Sequence, residues 1–130
     1  MHQRALALGR KTFEFSEYLV DVLGLTDLGA VFPGTVTYHD SCHLVRALGI
    51  REQPRQLLRQ VHGLSLVEMT NSDTCCGFGG TFSVGYPDIS LALADDKIDT
   101  ILTSGADTVV GCDVSCLMQI RGRLTRRGET

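Results

Sequence analysis

Five cysteines could do chemistry in this chain: Cys42 alone, the adjacent pair Cys75 and Cys76, and Cys112 and Cys116 near the end. An odd number with two adjacent members is poor material for a disulfide framework, because neighbouring cysteines close only a strained ring. Metal or redox use is the better reading. A cysteine ligates as the thiolate, and several bare thiolates in one place repel one another unless a metal centre supplies opposite charge. Zinc and iron–sulfur clusters both accept four thiolates. Structural zinc sites usually present two short Cys-x-x-Cys knuckles, which are missing here, so the spacing leans towards iron–sulfur. Zinc, and a metal-free or redox thiol pair, stay open as alternatives.

The elements around the cysteines decide whether they can meet. Residues 12–23 carry Phe15, Leu19 and Val22 at helical spacing, with Gly24 as a stop. A glycine- and proline-punctuated loop over 27–33 leads to a strand at 35–38. Cys42 then falls at a strand-to-helix turn, with Asp40 or Ser41 placed to cap a short helix ending near Gly49. A helix over 52–61 tolerates Pro54 in its first turn, and a second strand follows at 64–69. Residues 70–80 lack any period and form a glycine-shaped loop holding Cys75 and Cys76. Leu91, Ala94, Ile98 and Ile101 predict the longest helix, 88–104, stopped by Gly105. A third strand at 108–112 precedes a helix with Ser115 as its expected N-cap and Leu117, Ile120 and Leu124 on one face.

Three strand-then-helix units in series predict an α/β fold. Its sheet is a small parallel one of three or four strands flanked by helices, with right-handed crossovers. Such sheets gather functional groups beyond the carboxyl ends of their strands, and every cysteine lies there. Cys42, Cys75, Cys76 and Cys116 are the principal candidate ligands. Glycines after Cys76 let the backbone turn tightly and aim amide N–H groups at cluster sulfides, while Cys116 in the first turn of a helix gains from the local dipole. His39 and His43 flank Cys42 and are secondary candidates to ligate a metal or donate to sulfide. The expected organisation is an N-terminal helix and connecting loop over 1–34, a cysteine-rich domain over 35–126 and a tail at 127–130.

Other classes find little support. A formal charge of −3 is too small to argue for nucleic acid. The apolar runs are too short to cross a bilayer, and the first twenty residues lack a signal peptide's apolar core, so a cytoplasmic chain is expected. His62 and Arg46 are expected on the surface, and the arginines at 121, 123, 126 and 127 in solvent. A cluster held by these thiols would relay electrons and requires no acid–base pair, so an electron-transfer role is expected rather than self-sufficient catalysis, and no catalytic residue is singled out.

The runs Tyr38-His39-Asp40-Ser41-Cys42-His43, Cys75-Cys76-Gly77-Phe78-Gly79-Gly80-Thr81-Phe82-Ser83 and Asp113-Val114-Ser115-Cys116-Leu117-Met118 resemble the cysteine-rich CCG domain. That domain is found in the B subunit of heterodisulfide reductase and the iron-sulfur subunit of glycolate oxidase. The narrower likeness is to the second, C-terminal CCG domain of the lactate utilization family. The resemblance implies an iron–sulfur cluster, 4Fe–4S in type, carrying electrons within a cytoplasmic L-lactate-oxidising complex. It implies as partners the complex's other subunits and an N-terminal CCG domain. One departure concerns the ligands: the general pattern ends in Cys-x-x-Cys, which would place a cysteine at 113, where this chain has Asp113 and carries Cys112 one residue earlier. A one-residue shift on a strand turns a side chain to the other face. Cys112 is therefore a doubtful ligand, and Asp113 a candidate oxygen ligand or structural cap.

Overall fold

The computed structural model describes residues 2–129; Met1 and Thr130, the end of the expected tail, lie outside the described residues. Three strands, β1 (Val31–His39), β2 (His62–Leu66) and β3 (Thr108–Gly111), form one parallel sheet in the order β2-β1-β3. The parallel α/β architecture expected from the motif order is therefore present, with three strands. β1 begins earlier than expected, inside the segment read as a loop, because its first residues pair with β2 across an irregularity between Val31 and Gly34. Its last four, Val36 to His39, pair with β3 from Thr108 to Gly111. Being central, β1 is buried at its carboxyl end and exposed at its start.

The helices are α1 (His2–Gly9), α2 (Phe15–Glu17), α3 (Glu52–Arg59), α4 (Thr81–Gly85), α5 (Pro87–Ser104) and α6 (Val114–Arg127). Two segments are π-helical, Tyr18–Val22 continuing α2 and His43–Leu48 after Cys42. α2 starts at a capping box, with Glu14 accepting from the backbone of Ser16 and Glu17 while Glu17 reaches back to Glu14. The wider π turn that follows breaks the α spacing. Of the expected face only Leu19 is buried, and Phe15 and Val22 remain exposed. α1 has no buried residue and no counterpart among the expected helices.

α5 and α6 pack against each other, and their Ile98, Ile101, Cys116 and Ile120 form the core together with Met69 and Cys76 from the segment after β2, with Phe78, Val109 and Leu124 against it. Both helices end where glycine takes the left-handed conformation, at Gly105 and Gly128. The arginines of α6 are not all free in solvent as expected. Arg123 makes a bidentate pair with Asp95 at 2.8 and 2.7 Å, and Arg127 reaches Asp99 at 2.8 Å, so they tie α6 to α5. No helix among the described residues is long and apolar enough to cross a membrane.

Candidate metal centre

The carboxyl ends of the three strands feed three loops into one cavity of about 290 Å³, lined by His39, Cys42, Cys75, Cys76 and Cys116 together with His43, Phe78, Gly79, Gly80, Asp113 and Ser115. Within it, one ring nitrogen of His39 and the Sγ atoms of Cys76 and Cys116 lie within 4.8 Å of one another, and all three residues are buried. Such spacing suits a metal, because tetrahedral ligation at bonds of about 2.0–2.3 Å puts donor atoms roughly 3.3–3.8 Å apart. Neither ring nitrogen of His39 has a hydrogen-bond partner, although the residue is 1% exposed. A buried imidazole with nothing to bond costs free energy unless something fills the site. The donor set is therefore one a metal completes.

The thiols are electrically primed. The neighbouring Cys116 thiol is the largest influence pulling the Cys76 thiol down, to about 4, against burial, and the closeness of the His39 ring adds to it. Cys116 moves the other way, because it donates to that anion and is itself buried. The pair thus loses its first proton easily and its second only when a cation arrives. Cys75 is half-buried at the cavity wall, and its Sγ accepts from the Gly77 N–H at 3.3 Å. Cys42 opens the π-helical segment His43–Leu48, also half-buried.

The Cys75–Cys76 turn is clamped from below. Gly77 has φ +85°, and a Cβ there would stand 2.2 Å from the carbonyl oxygen of Ser90, so only glycine lets the turn sit on α5. Ser90 Oγ in turn donates to the Gly77 carbonyl at 2.7 Å and accepts from Gln119 at 3.2 Å. The Cys42 turn is held by a buried ion pair. Arg55, from α3, donates to both oxygens of Asp40 at 2.9 and 2.8 Å and to both of Glu68 at 2.7 and 3.0 Å. Burial alone would raise the Asp40 carboxyl, but the hydrogen bonds from Arg55 and Ser72 outweigh it and hold it below the ordinary carboxylate range.

Asp40, one of the two expected caps, is spent on Arg55. Ser41 Oγ instead accepts weakly from the Leu44 N–H at 3.4 Å. At α6 the N-cap is Asp113 rather than Ser115: its carboxylate accepts from the N–H groups of Ser115 and Cys116 at 2.8 and 3.3 Å. Asp113 lines the cavity, and its other oxygen lies 3.8 Å from Nδ1 of the exposed His43.

Cys112 does not line this cavity. It is exposed in a separate crevice with Tyr38, Phe15, Leu57 and Leu58, and its Sγ lies 3.4 Å from Ser41 Oγ. Strand alternation explains the split: successive residues Tyr38 and His39 of β1 point to opposite faces, one into each pocket. Sequence reasoning missed Arg55, Ser90 and Gln119 as supports.

An α/β domain with buried thiols gathered at one sheet end defines a cysteine-rich domain, and the chain belongs to that family: the CCG cysteine-rich domain model matches residues 36–121. Among curated proteins the chain is 54% identical to lactate utilization protein A of Exiguobacterium over 97% of its length and 51% of the relative's. It is 49% identical to lactate utilization protein A 1 of Bacillus mycoides, over 97% and 51%. With lactate utilization protein A of Oceanobacillus iheyensis the identity is 46%, over 98% and 52%. The chain spans about half the length of these relatives.

Proposed function

We propose that this chain is an iron–sulfur electron-transfer domain of a cytoplasmic complex that oxidises L-lactate or a related 2-hydroxy acid. Cys42, Cys75, Cys76 and Cys116 are its cluster ligands and His39 is an additional donor facing the same centre. The observation that carries this reading is the convergence of Cys76, Cys116 and the unpartnered His39 in a cavity that Cys42 and Cys75 also line. A cluster, 4Fe–4S in type, would supply one-electron chemistry when bound. The chain's own residues do the rest. Gly77 N–H donates to the Cys75 sulfur and stabilises added negative charge. Phe78 borders the cavity and packs on the core, which limits water at the thiols. The substrate class follows the name of the relatives, lactate utilization protein A. The other half of a protein of their length and further subunits of the complex are the partners of this reading.

A second reading is favoured by the tight spacing of three donors within 4.8 Å, which suits a single zinc ion in a structural or docking domain. The cavity argues for the larger group, since about 290 Å³ far exceeds the roughly 30 Å³ share of one water molecule. Iron and sulfide analysis with electron paramagnetic resonance after anaerobic reconstitution separates the two. Stoichiometric iron and sulfide that Cys116→Ser abolishes support the cluster; zinc without iron supports the docking domain.

A further inference from the structure

Lys97, in the middle of α5, is fully buried, yet among the described residues no carboxylate forms an ion pair with it. Its Nζ donates to the backbone carbonyls of Asn71 and Ser72 at 2.9 and 3.1 Å and faces Met69 Sδ at 3.7 Å. Asn71 holds a left-handed φ of +54° at this point, so the chain bends around the ammonium just before Cys75 and Cys76. The two carboxylates nearest this turn already have cations: Asp40 is held by Arg55, and Asp73 by Arg51 at 3.0 Å. Burial pulls the Lys97 ammonium below its usual value, and the influences opposing this are Asp73, Asp40, Cys76 and Cys75. A buried ammonium bonded only to neutral acceptors is expensive, and such charges are retained where an anion faces them. Four thiolates around a metal leave a net negative charge, and their loop is the one Lys97 holds.

We propose that Lys97 is the built-in counter-cation of the thiolate centre: anchored by the carbonyls of Asn71 and Ser72, it positions the Cys75–Cys76 turn and offsets the charge of the metal-bearing thiolates from the protein interior. This rests on the metal-centre reading above. Lys97 is a positioning residue and touches no reacting atom.

Cobalt(II) is a suitable probe, since sulfur-to-metal absorption reports thiolate ligation directly. Lys97→Gln keeps an N–H donor without the charge, and Lys97→Arg keeps the charge. The expected result is cobalt binding at least tenfold weaker in Lys97→Gln and largely retained in Lys97→Arg. The metal-free Lys97→Gln protein should unfold at no lower temperature than wild type, since a buried charge has been removed. After iron–sulfur reconstitution, Lys97→Gln should also show a more negative midpoint potential, because the reduced, more anionic state loses its neighbour. Should Lys97→Gln not fold, Lys97→Met, which keeps the stem length, carries the same comparison. Equal cobalt affinity and equal potential in wild type and the neutral variants overturn the role of Lys97 alone. A wild type that binds neither cobalt nor iron overturns the metal-centre reading, and this inference with it.

Discussion

Two pockets sit back to back at the carboxyl end of β1, and each has a cysteine and a buried polar group without a partner. On one face His39 meets Cys76 and Cys116; on the other the Tyr38 hydroxyl lies beside Cys112, where burial and then Cys112 push its ionisation up. The first draws donors from the loops after all three strands, and each of those loops is clamped by glycine, arginine or a helix cap. The second draws one thiol from one strand end, amid Phe15, Leu57 and Leu58. Cysteine content therefore does not separate a metal centre from a crevice. Convergence of independently anchored loops does.

The sharpest way to break this contrast is to remove a thiol from each side. Cys76→Ser and Cys116→Ser should each abolish metal retention, read as iron and sulfide per chain, whereas Cys112→Ser should leave it unchanged. Next in size, Arg55→Met should destabilise the protein by about 3–5 kcal/mol, measured by urea unfolding, because it strands the buried Asp40 charge. The same pair sets a pH dependence. Asp40 has a folded value below its unfolded one, so its contribution is complete above about pH 4 and is lost as pH falls through the depressed value. Acid unfolding of Arg55→Met should show less of this loss.

Gly77→Ala should cost about 2 kcal/mol or more and lower metal occupancy, since its Cβ would collide with the Ser90 carbonyl. A matching Gly85→Ala, with open space around it, should be within about 0.5 kcal/mol of wild type. His39→Leu should weaken metal affinity about tenfold or more while leaving the metal-free fold intact, because it removes two unsatisfied buried nitrogens. The smallest effect belongs to Cys112→Ser, with unfolding free energy within about 0.5 kcal/mol of wild type.

Much of the thiol side was legible in the sequence because it depends on order alone. Strand, loop, helix, repeated three times, brings Cys42, Cys75, Cys76 and Cys116 to one end whatever the details of packing. The clamps were less legible, since they depend on contacts between residues distant in the chain. Arg55 with Asp40, and Ser90 with Gly77, leave no periodic signal. Lys97 did leave one: it falls on the face of α5 shared by Ala94, Ile98 and Ile101, where a charge has no ordinary place. The π-helical turns at Tyr18–Val22 and His43–Leu48 were hidden too, because one extra residue per turn cannot be told from an α pattern over so short a span.

The order β2-β1-β3 also bears on biosynthesis. Cys42 follows the first-made strand, which becomes the sheet's centre, while Cys116 arrives only with the last helix. A ribosome must release nearly the whole domain before all four thiols can meet, since Cys116 is made last of them. A metal held by those thiols would stitch the earlier and later segments of the domain together and add its binding free energy to the stability of the fold.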